Sequence, residues 1–426
     1  MSISEITSQL ISDIPGSLLP ETLNIIFYIG PIVMAVLLGG IAWTLWIRYI
    51  QGDFYLSLDY AVLELRLPKE TLKSPKAMET VLVAIHNTGD GGWSAKYWKG
   101  EYRPYYSLEL VSIEGQVKFF IWTEDRRKGG VISALYSQFP GIEVYEREDY
   151  TKGIVYDPKE MKLWAANYKL DKPDAYPIKT YVDYGLDKDP KEEFKVDPIT
   201  QVIEFLGSVP INQQIWIQIL IRAHKKEQRK PGHLFKKYDA WEEEAREIIN
   251  KEILLRDPKT KVAGKVDEVK GFTISPKNTK GEEEVVEAIE RSLTKFPFDV
   301  GIRAIYFAPR SEFNTPFGIG GLISSFKQFS SNHLNTIKPD NDTLIAQFSG
   351  DPWEDYKEFR RTYLSKKALL AYKRRSYFFP PHKGKSMVLN AEELATIYHF
   401  PGSVAATPSL ERVPSKKAEA PPNLPI

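Results

Sequence analysis

Residues 25–47 read IIFYIGPIVMAVLLGGIAWTLWI and contain no charged side chain. At about 1.5 Å per residue, a helix of this length spans roughly 34 Å, which is enough to cross the hydrocarbon core of a bilayer. Tyr28 near one end and Trp43 and Trp46 near the other are typical of interfacial anchors. The stretch predicts a transmembrane helix rather than a cleaved signal peptide, because no basic residue precedes it and no small-residue cleavage site follows it.

The charges on either side of this stretch predict its orientation. Residues 1–24 carry Glu5, Asp13 and Glu21 but no Lys or Arg, whereas Arg48 follows the span directly. By the positive-inside rule, the short N-terminal segment lies outside the membrane and the bulk of the chain lies in the cytoplasm.

The composition of the whole chain excludes several classes of protein. Its 426 residues include no Cys, which excludes a disulfide scaffold, a thiolate metal site and a Cys nucleophile. With 57 Lys+Arg against 56 Asp+Glu, the chain is not a uniformly basic nucleic-acid coat protein. A hydrophobic fraction of 42% with 27% charged residues excludes both a broadly disordered chain and a polytopic membrane protein.

The rest of the chain predicts an α+β fold, in which the single N-terminal transmembrane helix is followed by tandem ferredoxin-like (α/β-plait) units. In residues 54–150, a strand at 55–68, a helix, a hairpin turning at Gly115, a second helix and a last strand follow one another. This β-α-β-β-α-β order is that of the ferredoxin-like split βαβ unit. A similar order in residues 151–345, interrupted by an insertion at 225–260, predicts a second unit.

The pattern continues to the end of the sequence. After the insertion, the second unit is expected to resume with a strand at 270–275, a helix at 282–294 and a strand at 299–309. Residues 351–402 are predicted to form a basic helix and a terminal segment. Residues 403–426 contain five Pro residues among Ala, Ser and Lys, which predicts an extended, disordered tail.

No catalytic or cofactor-binding motif is recognised. The HKGKS stretch (382–386) resembles the end of a phosphate-binding loop, but Phe379 occupies the place of the required upstream glycine and two prolines follow it. The six His residues include no pair at a metal-ligand spacing such as HExxH. We therefore expect a non-enzymatic protein with no catalytic residues, no metal site and no cofactor.

A basic run within the helix predicted over 351–379 is the candidate binding site. From Arg360 to Ala391 the sequence contains nine Lys or Arg residues and no acidic residue, with aromatic residues interleaved. The candidate phosphate- or lipid-contacting residues are Arg360, Arg361, Lys366, Lys367, Lys373, Arg374 and Arg375. The run is compatible with a solvated helix face, with anionic lipid headgroups as ligands, or with nucleic-acid phosphates, and the sequence leaves these three interpretations open.

Four stretches together resemble a known family: SPKAMETVLVAIH (74–86), SLTKFPFDVGIRAIYFAP (292–309), VLNAEELATIYHFPG (388–402) and PPNLP (421–425). They are similar to the membrane-anchored N-terminal region that precedes the motor in certain conjugation-type (type IV secretion) DNA-translocating ATPases of bacteria. The resemblance implies the bacterial cytoplasmic (inner) membrane as location and a translocation ATPase as partner. It transfers no catalytic residue, because the nucleotide-binding motifs of that family have no counterpart in this sequence, and we expect a separately encoded ATPase to supply them.

The leading expectation is thus a non-enzymatic single-pass membrane subunit that scaffolds or anchors a type IV secretion or conjugation-like translocation ATPase. Its expected partners are the membrane, the ATPase and, through sheet edges, further copies of itself in a homo-oligomer. The alternative is a membrane-tethered module that binds anionic lipid or nucleic acid without a motor.

Overall fold

A computed structural model gives the structure of the chain. It describes residues 18–68, 73–89, 91–187, 196–226, 228–229, 237–250, 280–340, 358–379, 382–402 and 412–413. The strand expected at 270–275 lies outside these residues, and so do residues 1–17 and most of the predicted tail.

Ten α-helices and twelve strands lie within the described residues. The helices are α1 (Leu18–Ser57), α2 (Lys76–Ile85), α3 (Trp93–Trp98), α4 (Lys128–Gln138), α5 (Pro198–Gly207), α6 (Ala240–Ile248), α7 (Lys280–Leu293), α8 (Gly321–Ser325), α9 (Phe359–Lys373) and α10 (Ala391–Ile397). The strands are β1 (Tyr60–Pro68), β2 (Tyr105–Ile113), β3 (Gln116–Glu124), β4 (Glu143–Arg147), β5 (Met161–Leu170), β6 (Gln214–Ala223), β7 (Gln228–Arg229), β8 (Lys237–Tyr238), β9 (Pro297–Pro309), β10 (Ile337–Pro339), β11 (Met387–Asn390) and β12 (Arg412–Val413).

Helix α1 is long and apolar enough to cross a membrane. The part from Phe27 to Ser57 meets this criterion, and 0% of its most apolar window is buried against other parts of the chain. The helix continues ten residues beyond the predicted end at 47. The predicted start of the first strand at residue 55 is therefore wrong, because residues 55–57 are still helical. Strand β1 begins only at Tyr60, because α1 keeps its helical hydrogen bonds until Ser57, whose hydroxyl donates to the carbonyl of Phe54 (2.8 Å).

The short helix α3 belongs to the same compact unit as α1. Residues Met1–Ser57 and Asp90–Tyr102 form this unit, although 90–102 lie within the range predicted for the first plait unit. The indole N–H of Trp46 donates to the carbonyl of Tyr97 (3.1 Å), and the Trp46 ring lies 6.0 Å from that of Trp98. Aromatic contacts of this kind hold α3 against the C-terminal half of α1.

Leu58–Gly89 and Arg103–Ile426 form a second compact unit, which is built on one large antiparallel sheet. Its strand order is β10-β5-β9-β6-β2-β3-β1-β4, and β11 pairs with the first residues of β9 as a ninth strand. The two-residue strand β12, which lies in the predicted tail, pairs in parallel with the end of β1. Strands β7 and β8 form a separate two-stranded ribbon within the predicted insertion.

The structure confirms a mixed α/β chain with an N-terminal apolar helix, but the two predicted units do not have separate sheets. Strand β2 pairs with β6 from Tyr105↔Arg222 to Ile113↔Gln214, which joins the two halves edge to edge. Each half places its four strands, counted along the chain, in the order fourth, first, third, second: β4-β1-β3-β2 and β10-β5-β9-β6. The central strands are therefore shielded by neighbours on both sides, and the edge strands that the structure describes, β4 and β10, are short.

The two faces of the sheet have different covers. One face packs against α2, α4, α5 and α10 through alternating aliphatic residues, such as Leu108 and Leu110 of β2 and Ile217 and Ile219 of β6. Alternation puts the intervening residues on the opposite face, where Trp216 lies 5.1 Å from Tyr372 of α9. Helix α9 is thus held on the face opposite to the main helical layer.

The hairpin predicted at Gly115 is confirmed. Glu114 and Gly115 both have positive φ angles, 53° and 83°, between the paired residues Ile113 and Gln116. Two central residues in this region form the type I′ turn, whose twist matches that of the flanking strands.

Gly301 in β9 allows the ring of Tyr377 to lie directly on the sheet. A Cβ atom at this position would overlap the Tyr377 ring, whereas a Cβ at Gly129 of α4 would meet nothing within 4 Å. We expect Gly301→Val to lower the free energy of unfolding by about 1–3 kcal/mol through overpacking. Gly129→Ala should be neutral or stabilising by about 0.5–1 kcal/mol because it replaces a helical glycine. Denaturant unfolding of the two variants would measure this, and equal effects would contradict the close packing.

Candidate functional site

Helix α9 carries the predicted basic run. The structure confirms a helix over Phe359–Lys373, while residues 351–357 of the predicted range lie outside the described residues. The predicted C-terminal end at 379 is wrong, because the helix ends six residues earlier. Its inner side is formed by Ser365, Leu369 and Tyr372, which are buried. The basic residues are therefore divided between the outer side of the helix and its C-terminal end.

The seven candidate residues do not form one exposed patch. Arg360, Lys366, Lys367 and Arg374 are exposed. Arg361 and Lys373 are half-buried and bind within the chain. Arg361 pairs with Glu358 (3.3 Å), and the Lys373 ammonium donates to the carbonyl of Ile154 (2.5 Å).

The assignment of Arg375 to the patch is wrong, because this side chain is only 1% exposed. Helix α9 ends in a Schellman motif, in which the N–H of Ser376 donates to the carbonyl of Ala371 (3.0 Å) and that of Arg375 to the carbonyl of Tyr372 (2.9 Å). Arg375 occupies the left-handed position of this motif, usually glycine, with φ of 48°. The reversal of the chain directs Arg375 away from the outer side of α9 and towards the sheet.

Two carboxylates receive the buried guanidinium. Arg375 Nε and Nη2 donate to the two oxygens of Glu109 on β2 (3.0 and 3.2 Å), and Nη1 and Nη2 donate to Asp149. Burial alone would lower the pKa of Arg375, but the charge of Glu109 outweighs it, so the pKa of Arg375 lies well above its usual value. Burial alone would raise the pKa of Asp149, but its hydrogen bonds to Arg375 and the charge of Arg375 lower it below the usual value. The cluster is a complete buried ion pair rather than a free binding site.

Neutral groups complete this polar cluster. Glu109 also accepts from the Tyr150 hydroxyl (2.9 Å) and from the Gln218 amide (3.0 Å). The Tyr150 hydroxyl contacts that of Tyr372 (2.8 Å), and the Gln218 amide also donates to the backbone carbonyl of Tyr372 (3.2 Å). The hydrogen bonds around the buried Glu109 carboxylate thus connect β2, β6 and α9. They fix the rotation of α9 about its own axis, because only one side of the helix can supply these partners.

A second charged site lies where β6 ends and β9 and α6 begin. A cavity of about 410 Å³ is lined there by Arg222, His224, Asp239, Trp241 and Asp299, among others. His224 Nδ1 contacts Asp299 (2.5 Å) and its Nε2 contacts Asp239 (3.2 Å), an arrangement that we call the His224 bridge. Asp299 also accepts from Arg222 Nε (2.8 Å), and Asp239 caps α6 by accepting from the backbone N–H of Trp241 (3.1 Å).

The His224 bridge is charged near neutral pH. Burial lowers the pKa of His224, but the hydrogen bonds to Asp239 and Asp299 outweigh this and raise the pKa to about 9. Both ring nitrogens are then donors committed to carboxylates, so the ring is not available as a general base. Among the residues that the structure describes, no group of three or more His, Asp or Glu side chains could hold a metal ion. The His224 bridge has a structural role, because it joins the end of β6 to the first residues of β9 and to the start of α6.

The sequence contains only a partial signal for these two clusters. Polar Ser107 and Glu109 alternate with aliphatic residues along β2, and Gln218 does so in β6, which is a recognisable sign of a polar strip on one face. Nothing in the sequence connects His224 with Asp299, because 75 positions separate them and only the pairing of β6 with β9 brings them together.

Comparison with known families identifies the chain. A family model described as a domain of unknown function (DUF8128) matches residues 57–412, and the chain therefore belongs to this family. No curated protein matches the chain.

The buried position of Arg375 generates a test by substitution. We expect Arg375→Ala to lower the free energy of unfolding by about 3–5 kcal/mol, because the buried Glu109 and the half-buried Asp149 would both lose their ion-pair partner. The exposed neighbour Arg374 is the matched control, and Arg374→Ala should change the free energy by less than about 0.5 kcal/mol. Urea unfolding of the detergent-solubilised protein measures both, and similar losses for the two variants would contradict the buried ion pair.

The His224 bridge predicts a pH-dependent contribution to stability. Because the pKa of His224 is raised from 6.5 to about 9, the contribution is complete below about pH 6.5 and is lost as the pH rises through 9. The pKa values of Asp239 and Asp299 are lowered from 3.8, so their contribution is lost in acid. We expect His224→Gln to reduce stability by about 3 kcal/mol near pH 6 and by much less at pH 10. Exposed His333→Gln is the control, and an effect of His224→Gln that is independent of pH would contradict the charged bridge.

Proposed function

We propose that this member of the DUF8128 family is a single-pass membrane protein whose α/β body is a non-enzymatic scaffold for a translocation ATPase on the cytoplasmic side. The observation that carries the proposal is an apolar helix of membrane-spanning length with 0% of its most apolar window buried, continuous in sequence with a large folded body. A surface of this kind is stable in hydrocarbon and unfavourable in water.

The aromatic contacts at the end of α1 support an anchor that is retained rather than cleaved. A signal sequence is removed after its short apolar segment, whereas α1 continues to Ser57 and packs on α3. Trp43 lies 5.8 Å from Tyr97, and Trp93 and Trp98 of α3 are exposed beside them. Trp and Tyr side chains, which combine an apolar ring with a polar group, are enriched at the membrane–water interface. We place this interface at the C-terminal half of α1.

The distribution of charges supports the orientation and the scaffold role. Acidic residues precede the span and Arg48 follows it, which favours an outside N-terminus and a cytoplasmic body. The two titratable clusters described above are paired internally, at Arg375 and at His224, which favours a structural use of these groups over a catalytic one. The bacterial inner membrane and the ATPase partner follow from the family resemblance described above.

We further infer that the body arose from two ferredoxin-like units. The repeated fourth, first, third, second strand order supports this origin, because it is the order of the split βαβ unit. The second half differs by the insertion that contains α6 between β6 and α7. Homo-oligomerisation through the short edge strands β4 and β10 also belongs to the proposal.

The anchor is tested by placing charges on α1. Leu37 and Ile41 are exposed in the middle of the apolar stretch, and each arginine at a bilayer centre costs about 2.5–3.5 kcal/mol. We expect Leu37→Arg/Ile41→Arg to move the protein from the carbonate-resistant membrane fraction to the extractable fraction. The control Tyr49→Arg/Leu56→Arg changes two exposed residues of the same helix beyond the predicted span and should leave the protein in the membrane.

The scaffold role is tested on the native protein in its membrane. Cross-linking followed by affinity purification and mass spectrometry should recover a protein with a nucleotide-binding motor domain, and the purified chain alone should not hydrolyse ATP. The wild-type chain in the extractable fraction would contradict the anchor. ATP hydrolysis by the isolated chain, or a cross-linked sample without any motor protein, would contradict the scaffold.

A further inference from the structure

The outer side of α9 has an organisation that the buried clusters do not explain. Seven residues of the helix and its cap are exposed: Phe359, Arg360, Tyr363, Lys366, Lys367, Leu370 and Arg374. At about 100° per residue they all fall within an arc of roughly 120°, which we call the α9 surface. The buried Ser365, Leu369 and Tyr372 lie outside this arc, so the surface is one continuous side of the helix.

The middle of the α9 surface is apolar. Phe359, Tyr363 and Leu370 are 78%, 60% and 41% exposed, and they follow one another along the helix as an apolar ridge. Lys366 lies on one side of the ridge, and Arg360, Lys367 and Arg374 lie on the other. Exposed apolar residues in a row on a protein surface indicate a binding function, because the part of the chain that the structure describes does not cover them.

The exposed lysines of the α9 surface are available to an external partner. Lys366 and Lys367 make no hydrogen bond or ion pair with the described residues, in contrast to the half-buried Arg361 and Lys373. The loop after α9 adds charge of the same sign, since Lys383 and Lys385 are exposed. Burial lowers the pKa of His382 in that loop, and the charges of Arg303, Lys367 and Arg374 lower it further.

We infer that the α9 surface docks onto the headgroup layer of an anionic lipid bilayer. The apolar ridge enters the interface between headgroups and acyl chains, and the cations on both sides of it contact anionic headgroups. Nucleic acid fits less well: phosphates would use the cations and unpaired bases would stack on Phe359 and Tyr363, but the aliphatic Leu370 would stay in water. The inference deepens the proposed function and rests on it only for the tether, which keeps a bilayer at high effective concentration.

The experiment uses the full chain in lipid nanodiscs and exploits its lack of Cys. A nitroxide label on Tyr363→Cys reports whether the ridge meets lipid, through its relative accessibility to oxygen and to a water-soluble nickel complex. The control label on Tyr136→Cys replaces a tyrosine of α4 that is 50% exposed, against 60% for Tyr363. Nanodiscs of phosphatidylcholine alone are compared with nanodiscs that also contain phosphatidylglycerol.

We expect the label at 363 to become protected from nickel and accessible to oxygen in the anionic nanodiscs only, while the label at 136 stays in water. Lys366→Glu/Lys367→Glu should reduce this protection roughly tenfold or more, as should high salt. The matched control Lys280→Glu/Lys327→Glu reverses two exposed lysines on other elements and should have no effect. Unchanged thermal unfolding of the variants would show that the fold is retained.

Several results would overturn the inference. One is a label at 363 that stays as accessible to nickel as the label at 136 in anionic nanodiscs. A second is equal protection of the label at 363 from nickel in neutral and in anionic lipid. A third is protection of this label by a single-stranded oligonucleotide instead of lipid. A chain that does not enter nanodiscs at all contradicts the proposed anchor instead. In that case the label at 363 is measured with preformed anionic vesicles, and the same outcomes apply to the α9 surface.

Discussion

The ion pair between Arg375 and Glu109 determines how α9 lies on the sheet. It is buried on a central strand, and it includes a residue in the left-handed conformation at the end of the helix, which is unfavourable for a side chain other than glycine. Such a conformation persists only where the surroundings compensate for it, here through the hydrogen bonds of Arg375 to the carboxylates of Glu109 and Asp149. With the inner side of the helix specified in this way, the outer side is specified as well, including the order of aromatic and basic residues on it.

Much of the fold could be predicted from the sequence because strands and helices leave local signals. The hairpin at Gly115, the helix over Lys280–Leu293 and the apolar helix α1 all follow from periodicity and turn chemistry. The joining of the two halves could not be predicted, because pairing of β2 with β6 leaves the same alternation pattern as an edge strand would. Helix α3 was missed for another reason: its six residues form a helix through contacts with Trp43 and Trp46, which lie far away in the sequence.

The candidate site shows the same limit. The sequence places the seven candidate basic residues between positions 360 and 375, and four of them are exposed on the outer side of the helix or its cap. Arg375 is buried instead, because its own left-handed backbone conformation reverses the direction of the chain. Composition and helical periodicity do not predict such a reversal. The His224 bridge could not be predicted from the sequence, because its two aspartates come from α6 and β9, which only the fold brings together. Charge in the sequence therefore indicated where binding residues are concentrated, but only the fold separates those that hold the protein together from those that face outward.

The fusion of both halves into one sheet has a mechanical consequence. Strand β1 begins only two residues after α1 ends, and it is hydrogen-bonded to β3 on one side and to β4 on the other. Because β1 is paired along both of its sides, this strand can leave the sheet only if both ladders break together. Loss of β1 would also expose β3, which is joined through β2 to β6 of the other half, so we expect the two halves of the sheet to lose their order together.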